Sequence, residues 1–143
     1  MREIMFRLDA GSTLPSRATD GSAGYDLSLA DGVTVKAGGT ATGRTGVHVA
    51  IPKGNVGLVF ARSSVGAKRH VVLANGTGVI DSDYRGEVLV PLHNYGSESQ
   101  SLEAGERIAQ MVIVPCLSSS PVMVEELPAT GRGTGGFGST GTK

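Results

Sequence analysis

Residues 78–94, GVIDSDYRGEVLVPLHN, hold the densest set of groups that could do chemistry. Two strand-like pieces flank Asp81-Ser82-Asp83, a pattern that predicts a β-hairpin with carboxylates near its tip. An Asp carboxyl, with a reference pKa of about 3.9, is ionised at neutral pH and can accept a proton as a water becomes nucleophilic. A calcium loop is a rival reading, since Asp81, Asp83 and Gly86 occupy its positions 1, 3 and 6. It fails because Arg85 stands at position 5 and Leu92 at position 12, where a bidentate Glu is required. A second rival stays open: Asp residues in turns commonly do no more than hydrogen-bond the local backbone.

Three further segments carry polar groups in suggestive places. In ARSSVGAK (61–68), Arg62 stands beside Ser63 and Ser64, with Lys68 close behind. A guanidinium fork with neighbouring hydroxyls suits phosphate oxygens, and an ordinary solvated loop would read the same way. In RIAQMVIVP (107–115), Gln110 interrupts an apolar strand, and a buried amide must find a partner in a neighbouring strand or a ligand. The third is GRGTGGFGSTG (131–141), where Gly133, Gly135 and Gly138 show the G-x-G-x-x-G spacing of a dinucleotide-binding turn. That turn needs a helix after it, and only five residues follow Gly138. Phe137, alone among glycines, is poorly placed for a core; stacking on a flat ligand would explain it, as would chance insertion into a subunit groove. His48, His70 and His93 are scattered, accompany no Ser or Cys nucleophile motif, and read as structural.

The elements that must position these groups read as strands. IMFRL places Ile4, Phe6 and Leu8 on one face, and GVHVAIP places Val47, Val49 and Ile51 on one face. VGLVF, HVVLA, EVLVPLHN, AQMVIVP and PVMVEEL follow, separated by glycine-rich turns. Short strands at such spacing predict an all-β sandwich or barrel, and only residues 63–70 could form a brief helical turn. Glycine supports this: 22 of 143 residues, roughly twice ordinary usage. The few aromatics are expected in the core. The strand pattern stops near residue 126, so the Gly/Ser/Thr-rich end is expected to be a mobile tail unless a ligand orders it.

Formal net charge is zero and 39% of residues are hydrophobic, with pI ≈ 6.8 and mean hydropathy +0.02. A nucleic-acid polymer is therefore not an expected partner, while a small anionic ligand is. Cys116 is the single cysteine, so an internal disulfide and a Cys-based zinc site are excluded. The start lacks the apolar run of a signal peptide, and no stretch is long and apolar enough for a transmembrane helix. A cytoplasmic protein without membrane attachment is expected (host cytoplasm if the source is viral).

Five segments, AGYDLSLA (23–30), ARSSVGAK (61–68), GVIDSDYRGE (78–87), GERIAQMVIVP (105–115) and RGTGGFGSTG (132–141), occur in this order. Together they resemble the five motifs of the homotrimeric, all-β dUTPase family, the deoxyuridine triphosphate nucleotidohydrolases. The resemblance implies a jelly-roll-like β-barrel or sandwich over residues 1–127 and a flexible nucleotide lid over 128–143. It also implies a homotrimer, Mg2+ as cofactor, and hydrolysis of dUTP to dUMP and pyrophosphate by water attack on the α-phosphate. That reaction keeps uracil out of DNA and supplies dUMP for thymidylate synthesis. By position, Asp81 resembles the general base and Tyr84 the aromatic that excludes a 2′-hydroxyl. Asn75 and the main chain of Gly78, Val79 and Ile80 resemble the uracil contacts. Arg62, Ser63, Ser64 and Gln110 resemble phosphate contacts, as do Arg132, Ser139 and Thr140. Phe137, followed by Gly138, resembles the stacker over uracil. Asp26 resembles a carboxylate that meets magnesium indirectly, through water. The second motif departs from the family: Ala61 and Ser64 stand where Pro and Gly are usual. A dCTP deaminase-like relative and a non-catalytic nucleotide-sensing or protein-binding β trimer are the alternatives.

Overall fold

In the computed structural model, which describes residues 3–136, the elements are strands joined by tight turns, with one short helix. Every strand pairing is antiparallel. The largest sheet has four strands: β2 (Gly24–Ser28), β11 (Arg107–Pro115), β6 (Asn55–Ala61) and β8 (Gly78–Ile80), in that spatial order. A three-stranded sheet places β9 (Val90–Asn94) between β4 (Thr40–Gly43) and β7 (Val71–Leu73). Two ribbons complete the fold: β1 (Met5–Leu8) with β5 (Val47–Ala50), and β3 (Val33–Val35) with β10 (Gln100–Leu102). The architecture is all-β and jelly-roll-like, with the helix α1 (Ser63–Arg69) inserted between β6 and β7.

Alternation decides which side chains enter the core. Val47, Val49 and Ile51 are buried on one face, while Ile4, Phe6 and Leu8 line the half-buried face of β1 and Met5 and Arg7 face out. Leu27, Val59, Val71, Val90, Leu92, Ile108 and Met111 join the sheets from opposite sides. Branched aliphatic residues thus fill the space between pleated surfaces. No aromatic ring among the described residues belongs to the fully buried set, contrary to expectation. Phe6 and Tyr25 meet at the periphery with centroids 5.8 Å apart, and Tyr84 and Tyr95 are exposed.

Two sequence expectations fail here. The strand predicted at PVMVEEL does not form: Val122, Met123, Val124 and Leu127 are exposed in a segment without strand pairing. Its apolar alternation has no sheet of this chain to cover. Nor do the pieces flanking Asp81 pair as a hairpin. β8 pairs with β6, whereas β9 has β4 and β7 on its two sides. The buried faces of Val88, Val90 and Leu92 carry the chain across to the second sheet, and that apolar burial outweighs local pairing.

Candidate functional site

The first cluster forms where β6 runs into α1. Arg62 occupies the helix N-cap with extended backbone angles, and its carbonyl accepts from the Val65 and Gly66 N–H groups. Buried Val65 anchors this short helix, leaving Ser63 and Ser64 exposed in its first turn. The Arg62 side chain is fixed by donation from Nη1 to the Arg107 carbonyl at 3.3 Å and by Nε 3.2 Å from Asp26 Oδ1. Arg107 Nη1 donates to the other Asp26 oxygen at 2.9 Å. Asp26 lies across from Gln110 in the β2–β11 register, and Gln110 lies across from Phe60 on β6. Gly24 packs directly under that amide, since a Cβ there would come within 2.7 Å of Gln110 Oε1. Asp26, Arg62, Ser63 and Gln110 line a cleft of about 280 Å³. Ser64 lines an adjoining cleft of about 400 Å³ with Arg62, Lys68 and Arg107. Asp26 faces two guanidiniums and Glu106 pairs with Arg69, while Lys68 adds a further cation, so this surface is net cationic and rich in donors, which suits a polyphosphate.

Ala61, at the first departure of the second motif, ends β6 in register with Ala109. Its N–H remains available to the strand ladder, where a proline would have none. Ser64, at the second departure, is helical and needs no glycine conformation.

The second cluster follows β8. Val79, Ile80, Asp81 and Tyr84 line a cleft of about 240 Å³ with Glu87 and Leu89. Because β8 is the edge of its sheet, half of its main-chain N–H and C=O groups point away from β6. The Asp81 carbonyl accepts from the Tyr84 N–H at 3.1 Å, closing a turn. The Asp81 carboxylate is exposed and makes no hydrogen bond among the described residues. Tyr84 donates its hydroxyl to the Glu87 carbonyl at 2.9 Å, and any Cβ at Gly86 would collide with that hydroxyl. The Glu87 carboxylate in turn bonds Arg44 Nε at 3.2 Å, raising the guanidinium's pKa above its ordinary value. Asn75 sits in the exposed β7–β8 turn, whose Gly76 has φ +72°. Gly78 is buried against Val59.

Sequence reasoning missed Leu89 and Glu87. Leu89 is apolar yet turned outward by alternation between buried Val88 and Val90, which places it at the cleft. Glu87 carries no such signal.

The two clefts do not merge within one chain. Gly57 of β6 opposes Ile80, just before Asp81, whereas Ala61 leads into Arg62. The four residue steps from Gly57 to Ala61 span about 14 Å. Arg132 enters neither cleft and donates from Nε to the Gly135 carbonyl at 3.0 Å, within its own turn. Phe137, Gly138, Ser139 and Thr140 lie outside the described residues. Among the described residues, no group of three or more His, Cys, Asp or Glu could hold a metal ion.

This fold and these two surfaces define an antiparallel, jelly-roll-like β protein with a donor-rich cleft suited to phosphate. The family model for dUTPase matches residues 10–141, and the chain belongs to the dUTPase family. The deoxyuridine 5'-triphosphate nucleotidohydrolase of Desulfitobacterium hafniense is 48% identical over 138 residues, covering 94% of this chain and 91% of that protein. The dUTPase of Staphylococcus bacteriophage 80alpha, solved with dUPNHPP, superposes with TM-score 0.92 at 32% identity, over 99% of this chain and 100% of that one. A mutant dUTPase of phage phi11 of S. aureus, in which a structural Mg(II) ion is coordinated, superposes with TM-score 0.81 at 29% identity, over 87% and 98% of the two chains.

Proposed function

We propose that this chain hydrolyses dUTP to dUMP and pyrophosphate, with Asp81 as general base. The observation that carries the proposal is the Asp81 carboxylate, free of structural hydrogen bonds among the described residues, beside Tyr84 and the open edge of β8 in a dUTPase-family chain. Uracil offers an acceptor–donor–acceptor edge, and the alternating main-chain groups of Gly78–Ile80 can match it, with Asn75 at the neighbouring turn. Cytosine reverses two of those groups and would leave buried partners unpaired. Tyr84 closes the sugar face. Phosphoryl transfer requires positioning and charge neutralisation more than a protein nucleophile. Arg62, Ser63, Ser64 and Gln110 supply the donors for that purpose.

Asp26 is the carboxylate of the phosphate cleft, and two guanidiniums already share it. That donor set fits a magnesium ion carried mainly by the triphosphate and its own waters, with Asp26 reaching it indirectly. Magnesium, when bound, neutralises charge on the phosphate oxygens.

Because the carboxylate cleft and the phosphate cleft lie at opposite ends of β6, a complete site draws on more than one copy of the chain. A homotrimer supplies this, and the exposed apolar residues of 116–127 give it contact surface. Residues 128–143 act as the lid, with Phe137 over uracil, Gly138 letting the backbone come close, and Arg132, Ser139 and Thr140 on the phosphates. No helix among the described residues is long and apolar enough to cross a membrane, and the cytoplasm is the proposed site of action.

Incubation with dUTP, dCTP and dTTP, following pyrophosphate release and base identity, tests the activity. Pyrophosphate from dUTP alone is expected. Deamination of dCTP, or binding without turnover, would replace the proposal with one of its alternatives. Sedimentation equilibrium at the mass of three chains is expected for the assembly.

A further inference from the structure

The loop 81–88 carries both Asp81 and Tyr84, yet no strand pairs along it: β8 ends at Ile80 and β9 begins in another sheet. β5 and the turn before it hold the loop instead. The Val88 N–H donates to the Val47 carbonyl at 2.8 Å, and Glu87 Oε1 accepts from the Gly46 N–H at 2.8 Å. His48, which forms an isolated bridge with Glu87, places its Nδ1 3.0 Å from the Arg85 carbonyl. A carbonyl oxygen can only accept, so Nδ1 carries the hydrogen. Nε2 of the same ring lies 3.3 Å from Asp9 Oδ1, and the Asp9 N–H donates to the Gly46 carbonyl at 2.8 Å. The ring is mostly buried, at 14% side-chain exposure. Its Nδ1–H therefore ties β5 to the middle of the loop, beside Met5, Phe6 and Arg85.

Tyr84 depends on the same backbone. Its hydroxyl hangs on the Glu87 carbonyl, and its ring rests over Gly86. A shift of the Arg85–Glu87 backbone moves the ring, and through the Asp81–Tyr84 turn it moves the carboxylate too.

We infer that His48 is a positioning residue, one that never touches nucleotide and sets both the placement of Asp81 and the sugar discrimination of Tyr84 by holding the Arg85 carbonyl. The inference rests on the proposed dUTP hydrolysis.

Three variants of the full chain test it: His48→Ala, His48→Phe, which keeps ring volume without a donor, and His48→Asn, whose Nδ2 can stand where Nδ1 stood. For His48→Ala and His48→Phe, kcat on dUTP should fall roughly tenfold to a hundredfold, the scale of an ångström-level misplacement. KM should change little and the preference for dUTP over UTP should narrow. His48→Asn should recover most of both losses. Trypsin should cut after Arg85 faster in the first two variants than in the parent or His48→Asn. If His48→Ala does not fold, His48→Phe carries the comparison. Parental kcat and sugar preference in His48→Phe would overturn the inference, as would a loss that His48→Asn does not repair. A parent chain inactive on dUTP would sink the proposed activity, while the tryptic pattern would still read the clamp.

Discussion

Replacing Asp81 by Asn tests the proposed general base while keeping the structural contributions of that position. The Asp81 main-chain carbonyl closes the turn with Tyr84, and the substitution leaves the main chain untouched. The carboxylate is exposed and has no hydrogen-bond partner among the described residues, so folding stability should change by less than about 0.5 kcal/mol, as at ordinary surface sites. The amide keeps the size of the side chain but cannot accept a proton from water. Removing a general base costs roughly 10²–10⁴ in rate, which is about 2.7–5.4 kcal/mol of transition-state stabilisation. The assay is pyrophosphate release under saturating dUTP, run beside calorimetric titration with dUPNHPP and urea unfolding at fixed protein concentration. Unchanged analogue affinity and unfolding midpoint, with kcat reduced by that factor, is the expected pattern. Turnover at the parental rate would reduce Asp81 to a turn residue and refute the mechanism.

Tyr84→Ala should harm dUTP hydrolysis and narrow the ratio of kcat/KM between dUTP and UTP; an unchanged ratio would move sugar discrimination elsewhere. A chain ending at Leu127 should fold and assemble yet hydrolyse dUTP very slowly, and Phe137→Ala should lose less, since base stacking is worth about 1–3 kcal/mol. Full activity after truncation, or equal proteolytic protection of the tail with and without dUPNHPP, would remove the lid. Met111→Ala should cost about 2–5 kcal/mol in urea unfolding, because Met111 is fully buried on the central strand pair against Gly57. A cost below 1 kcal/mol would mean the core collapses around the gap.

Much of this protein is written in local pattern. Alternation in GVHVAIP requires a strand with Val47, Val49 and Ile51 inward, because successive side chains point to opposite faces. The short helix at Ser63–Arg69 and the glycine turns follow from equally local chemistry. Motif order alone identified the family, and no core packing was needed for it. Tertiary structure decided what local pattern leaves open, namely which strand pairs with which. The pieces around Asp81 look like a hairpin until the burial of Val88, Val90 and Leu92 sends β9 to another sheet. The apolar alternation of PVMVEEL looks like a strand, yet no sheet of this chain covers it. Gln110 and Asp26 lie far apart in sequence, and only the β2–β11 register sets them opposite each other beside Arg62. His48 reads as a scattered histidine until the fold brings its Nδ1 to the Arg85 carbonyl. Pairing and register depend on which apolar faces meet across the core, and that is a property of the whole chain rather than of any segment.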